Sequence, residues 1–264
     1  MMRYALGIEY DGSGFSGWQR QDHAPSVQQS VERAVSTVAD HAITVTAAGR
    51  TDTGVHAYCQ VAHFDSTAER SGRQWTLGIN SNLPDAVRVL WVRAVDDDFH
   101  ARFGAYSRSY RYRIMNRWVR PAIGADYFAW CREPLDETRM HRAAQVLLGK
   151  HDFSAFRSAG CSAQHAIREV TSIGVARDAD IVDIDISANA FLYHMVRNIA
   201  GSLIAVGRGE ESIEWFAEVF AGKDRKLAGV KAEAQGLYFM NVRYDAKYGL
   251  PETAEAFPFS CGEQ

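Results

Sequence analysis

The stretch Gly49-Arg50-Thr51-Asp52-Thr53-Gly54-Val55-His56-Ala57 packs an acid, a base, two hydroxyls, a histidine and two glycines into nine residues. Upstream, Ile43-Thr44-Val45-Thr46-Ala47-Ala48 alternates β-branched and small residues; downstream, Ala57 to Phe64 alternates again. The nine residues therefore read as a loop between two strands. An aspartate in such a loop is ordinarily a turn residue whose carboxylate bonds its own backbone. Two features point beyond that. Glycines at both ends permit torsions or close approaches that other residues resist, and Arg50 lies two positions before Asp52, so both side chains can point the same way in extended chain.

Outward from the loop, the chain alternates strand and helix patterns. Arg3 to Tyr10 is a strand, and a helix opens at Ser26 with a Ser-x-x-Gln capping box to Gln29 and Val27, Val31, Val35 and Val38 on one face. A short helical piece spans Trp75 to Asn80, and strands cover Val87 to Val95 and Ala105 to Met115. Asp136 caps a helix that runs through Leu148 and ends at Gly149. Glu169 to Ala176 and Ile181 to Ser187 form a hairpin, Phe191 to Val206 and Ile213 to Phe220 are helices, and Leu237 to Tyr244 is a last strand. A similar β-α-β-β theme is read twice. The expectation is an α+β fold of two similar halves, each a mainly antiparallel sheet with helices on one face and the active-site cleft between them. The halves are 1–104 and 105–245, with a tail at 246–264.

Asp11 to Gly17 contains a formal G-x-G-x-x-G after a strand, with Asp40 placed like a ribose-binding acid. That fingerprint needs its helix to open at the glycines. Trp18 to Pro25 intervene, so the segment reads instead as a flexible loop able to lie close to a ligand or a neighbouring backbone.

At 264 residues, 47% hydrophobic and 23% charged, the chain has the composition of an ordinary globular protein. Glu9 and Asp11 follow soon after the first residue and no run is long enough to span a bilayer, so neither export nor membrane insertion is expected. Cys59, Cys131, Cys161 and Cys261 are scattered without a Cys-x-x-Cys pair, which argues against a zinc site or a disulfide framework and for a reducing cytoplasm. The net charge of −3 is unlike that of a typical nucleic-acid binder. Its distribution is uneven, however: six arginines and no acid lie between Phe99 and Ala125, while acids gather at Asp96 to Asp98, Asp178 to Asp185 and Glu210 to Glu218. A basic face in an acidic whole is expected, with an arginine-rich strand facing water as the plainer reading.

Three further pieces carry chemistry. In Tyr110-Arg111-Tyr112-Arg113, strand alternation puts the tyrosines on one face and the arginines on the other, an arrangement suited to stacking a base and holding phosphates. In Asn189 to Ile199, a mostly apolar run places Arg197 mid-helix, on one face with Ala190 and His194. A partly buried arginine needs an acid, and Asp52 is the expected partner. Gly236-Leu237-Tyr238-Phe239 opens a strand and offers an apolar side chain against which a planar ligand can be pressed.

These four pieces together resemble the TruA family of tRNA pseudouridine synthases. Tyr4 to Gln19 and Phe99-His100-Ala101-Arg102-Phe103 also look like family segments, in the family's order, and the resemblance runs from Arg3 to about Tyr244. Thr53 departs from it, standing where the family often has alanine. The resemblance implies that Asp52 is the catalytic aspartate, that Tyr110 stacks on the target uracil, that Arg197 pairs with Asp52 and that Leu237 lines the uracil pocket. Arg50 would hold the space vacated by the flipped base. It further implies an isomerase without cofactor or metal, a homodimer sharing one tRNA, and targets at positions 38 to 40 of the anticodon arm. Two other classes stay open on the residues alone. One is a metal-dependent hydrolase using Asp52, His56, His63 and Asp65, whose spacing fits no single helical face. The other is a non-catalytic RNA-binding module, which gives no reason for a buried Asp52 and Arg197.

Overall fold

The computed structural model describes residues 1–251; most of the expected tail, from residue 252 on, lies outside the described residues. The strands are β1 (Met2–Tyr10), β2 (Thr46–Ala47), β3 (His56–Ser66), β4 (Val87–Val95), β5 (Ser107–Asn116), β6 (Ala129–Cys131), β7 (Gly149–Asp152), β8 (Ile167–Asp178), β9 (Ile181–Ala188) and β10 (Leu237–Arg243). The helices are α1 (Val27–Ala39), α2 (Gly72–Asn80), α3 (Glu137–Ala144), α4 (Met195–Gly207) and α5 (Ile213–Gly222). Among the described residues ten strands join one sheet in the order β4-β1-β3-β10-β5-β9-β8-β7, with β2 on β3 and β6 on β5. Only the β10–β3 and β5–β6 pairs are parallel, so the expected α+β class with a mainly antiparallel sheet is the observed one. Among the described residues no helix is long and apolar enough to cross a membrane.

Two hydrophobic cores flank the middle of the sheet. One gathers side chains of β1, α1, β3, α2 and β4 such as Leu6, Val31, Phe64, Trp75 and Val89, the other gathers Ile114, Phe153, Ile184, Leu203 and Phe216. Strand β10 serves both, for Leu237 packs into the second core and Phe239 and Val242 into the first. Val55, next to the Asp52 loop, is likewise buried in the second core.

Several local expectations change in three dimensions. Ser26 accepts the amide of Gln29 as its cap, but the reciprocal capping box forms at Ser71 and Gln74 instead. Helix α3 stops at Ala144 and tightens into a 3₁₀ turn to Leu147 before Gly149, whose φ of +97° only glycine adopts easily. Strands β6 and β7 are too short to show periodicity, and they extend the sheet only because partners wait for them. The helix expected from Phe191 begins at Met195, because His194 takes a left-handed φ of +60° and turns the preceding residues into the cleft.

The glycine-rich segment after β1 lies on a neighbouring backbone. A Cβ at Gly12 would overlap the carbonyl of Val55, and one at Gly17 would stand 2.5 Å from the carbonyl oxygen of Thr51. The Trp18 amide donates to that same oxygen at 3.0 Å. These two glycines let the segment brace the Asp52 loop at van der Waals distance. Gly12→Ala is therefore expected to destabilise the protein by about 1–3 kcal/mol, through overpacking, and to displace the loop. Urea unfolding measures this, and an unchanged midpoint would mean that the two backbones do not meet as described.

Candidate active site

The loop from Gly49 to Val55 is held by hydrogen bonds that leave the Asp52 side chain free to project. Gln60 Nε2 donates to the Gly49 carbonyl at 2.8 Å, and Thr51 Oγ1 shares a buried 2.8 Å hydrogen bond with the Tyr10 hydroxyl. The Val55 amide closes on the Asp52 carbonyl at 3.1 Å, across Gly54 at φ +76°. Gly49, by contrast, has no left-handed φ, and a Cβ there would meet Phe239 and the Tyr110 hydroxyl at ordinary contact distances of 3.8 and 3.9 Å, so only one of the two bounding glycines is conformationally required. His56 is a staple: its buried ring accepts the Gly12 amide at Nδ1, 3.1 Å, and faces the Asp126 carbonyl oxygen through Nε2, 3.0 Å. Burial outweighs the pull of Asp11 and holds this imidazole below its ordinary value, which fits a neutral Nε2–H ring.

Asp52 meets the expected arginine. Arg197 Nη1 donates to Asp52 Oδ2 at 3.3 Å across 145 residues, while Arg197 Nε donates to the Ala232 carbonyl at 2.9 Å. The grip is thus a single hydrogen bond from a guanidinium whose other edge is anchored on backbone, not the bidentate pair that isolated arginine and carboxylate groups favour. His194 adds a partner not foreseen for Asp52, with Nε2 3.2 Å from the same Oδ2. Burial lowers the His194 imidazole's affinity for protons against the pull of Asp52, and Lys231, Arg197 and Arg225 lower it further. Both contacts fall on Oδ2, and among the described residues Oδ1 has no hydrogen-bond partner. One oxygen is held and the other is left for chemistry.

Around this carboxylate opens a cleft of about 1060 Å³ lined by Arg50, Tyr110, Phe191, His194, Arg197 and Leu237, among others. Tyr110 projects from β5 and is fixed edge-on by Phe191 (4.9 Å between ring centroids) and Phe239 (4.8 Å). Burial raises its hydroxyl above the ordinary tyrosine range, so the ring stays neutral. Leu237 lies one strand over, on β10, with its backbone opposite Tyr112. Arg50 is exposed at the cleft, with no ion pair to Asp52. The five sequence-derived site residues thus share one cleft.

The arginine-rich strand departs from expectation. Arg111 forks onto Asp185 at 2.7 and 3.0 Å and Arg113 onto Asp183 at 2.8 and 3.1 Å, across the β5–β9 pairing. These arginines answer the acidic cluster of β9 and do not form a free basic face. Tyr112 is fully buried with its hydroxyl on the Glu233 carbonyl, so only Tyr110 of the two tyrosines reaches the cleft. Arg108 spends Nη1 and Nη2 on the carbonyls of Ala105, Asn189, Ala48 and Arg102, tying the Asp52 side of the cleft to the His194 side. The imagined hydrolase cluster is dispersed: His63 accepts the Ala101 amide, Asp65 pairs with Arg3 at 2.8 Å, and neither lines the cleft. Sequence periodicity places His194 on one helical face with Arg197 but does not pair it with Asp52, and it places Phe191 within the helix; the helix starts only at Met195.

Known proteins resemble this chain in sequence over nearly its whole length. The profile of a family described as tRNA pseudouridine synthase matches residues 7–104 and 143–245. A protein of Xylella fastidiosa (strain M23) named tRNA pseudouridine synthase A is 55% identical over 95% of this chain and 98% of its own length. A relative of the same name in Stenotrophomonas maltophilia (strain R551-3) is 54% identical over 95% of this chain and 98% of its own. Another, in Thiobacillus denitrificans (strain ATCC 25259 / T1), is 51% identical over 98% of this chain and all of its own. By sequence over nearly its whole length, this chain belongs to the TruA family of tRNA pseudouridine synthases.

Proposed function

We propose that Asp52 is the catalytic carboxylate with which this enzyme converts uridine to pseudouridine in tRNA, and that its targets are positions 38 to 40 of the anticodon arm. The observation that carries the assignment is the one-sided hold on Asp52: Arg197 and His194 occupy Oδ2 and leave Oδ1 open to a cleft walled by Tyr110 and Leu237. The reaction breaks the N1–C1′ bond, turns the detached uracil, and joins C5 to C1′ while the proton on C5 leaves. A carboxylate serves it either as a nucleophile on C1′ or C6, or as a base that removes a ribose proton so that a glycal forms. Either route needs the carboxylate ionised.

The remaining residues divide the work. The uridine must leave its stack to enter the cleft, and Arg50, exposed at the rim, fills the space it vacates. Tyr110, locked edge-on between Phe191 and Phe239, presents its ring to the uracil and keeps the base from escaping while it turns. Leu237 presses on the base from β10. No redox or phosphoryl step occurs, so neither cofactor nor metal enters this mechanism. The segments 1–104 and 105–245 act as the two walls, the first carrying Asp52 and the second carrying Tyr110, Arg197 and Leu237. A non-catalytic RNA-binding role leaves the held carboxylate without a purpose. We extend the reading to a cytoplasmic homodimer that shares one tRNA, which sedimentation with and without tRNA tests directly.

With tRNA carrying 5-tritiated uridine, Asp52→Ala is expected to release no tritium while still binding the RNA; normal turnover would remove the catalytic role. Arg197→Lys is expected to slow turnover by about 100-fold, since a point charge cannot reach Oδ2 and the Ala232 carbonyl together and small misplacements are costly. Wild-type rates would refute the pairing's importance. Mapping pseudouridine in tRNA from cells lacking the protein should show losses at positions 38 to 40; losses confined to another arm would overturn that site.

A further inference from the structure

Arg168, the second residue of strand β8, lines the cleft yet is only 8% exposed. Its Nη1 donates to the carbonyls of Ile167 (2.6 Å) and His165 (3.1 Å) and lies 3.5 Å from His165 Nδ1, which locks the plane of the guanidinium. The rest of the group is unspent. Nε is buried without a partner, and Nη2 makes no hydrogen bond to the protein among the described residues.

No carboxylate answers this charge among the described residues. The groups that act on it are the Cys161 thiol and, unfavourably, the Arg157 guanidinium, so burial lowers Arg168's proton affinity without an acid to restore it. Other buried arginines here are compensated: Arg113 has Asp183, Arg197 has Asp52, and Arg108 spreads its donors over four carbonyls. A buried cation left half-solvated is costly, and such a cost is ordinarily met by a counter-ion.

The cleft says what kind of counter-ion. Its lining carries Arg50, Arg102, Arg108, Arg168, Arg197 and Lys231, and among the described residues Asp52 is its sole acid. Uracil is uncharged, so this positive surplus matches what travels with it, the phosphodiester backbone. The Nε–H and Nη2–H edge of a guanidinium takes two oxygens of one phosphate in parallel. We propose that Arg168 binds a backbone phosphate of the RNA strand that delivers the uridine to Asp52. The assignment rests on the tRNA-modifying reading above. Nη2 makes the first contact, and Nε completes the grip when the bound strand displaces what covers it.

The test is salt-dependent tRNA binding in an Asp52→Asn background, with pseudouridine formation by the wild-type enzyme on the same tRNA as a separate measurement. Arg168→Met is expected to weaken binding about tenfold and to reduce the slope of log affinity against log salt by about 0.7–0.9, one phosphate's worth. Arg168→Lys should keep most of the slope and lose part of the affinity. In an anticodon-arm oligonucleotide carrying one neutral methylphosphonate at a time, one linkage should weaken binding to Arg168 protein and cost less in either variant. That last comparison needs only the lysine variant should the methionine one fail to fold. Unchanged slopes in the methionine variant, or no linkage whose effect depends on residue 168, would overturn the proposal. Loss of slope without any pseudouridine from the wild-type enzyme would instead keep the phosphate site and sink the catalytic reading.

Discussion

Strand β10 holds the molecule together. It pairs in parallel with the start of β3, at His56 and Ala57, and antiparallel with β5, where Phe239 stands opposite Tyr110. Backbone hydrogen bonds tolerate little variation in distance or angle, so this double pairing sets how far the Asp52 loop, which runs straight into β3, stands from Tyr110 and Leu237. The side chains of β10 enter both cores, so neither half can move without stripping apolar surface from the other. A cleft between such tightly joined halves is a preorganised one.

Charge is sorted by the same geometry. The protein is acidic in total, yet its acids and arginines meet in register across β5 and β9 and cancel there. A surplus of cations lines the cleft. Two neighbours on β5 show where such side chains go: Arg113 is spent on Asp183, while the residue before it, Tyr112, is spent on the core. Net charge thus says little about affinity for RNA, and the placement of the few unpaired cations says a great deal.

Asp52 depends on residues with no chemistry of their own. Gly12 and Gly17 permit contact with its loop, Tyr10 and Gln60 pin the loop from β1 and β3, and His56 fastens its far end. The glycines that matter most lie outside the nine-residue motif, in a segment whose spacing imitates a dinucleotide-binding fingerprint. Their role is steric, the close passage of one backbone over another, and nothing in local pattern distinguishes that use from a phosphate-binding turn.

The sequence by itself determined the α+β class, most of the long strands and helices, and the five residues of the cleft, because hydrophobic period and motif are local properties carried by neighbouring residues. It also pointed to Asp52 and Arg197 as partners, since a charge in an apolar helix requires one. Only the tertiary structure decided that Arg197 reaches a single oxygen, that His194 shares it after a left-handed turn, that Arg111 and Arg113 are neutralised by β9, and that Arg168 meets no carboxylate among the described residues. Those outcomes depend on which distant backbone lies beside which. Strand pairing and packing set that, through contacts between residues too far apart in sequence for periodicity to relate them.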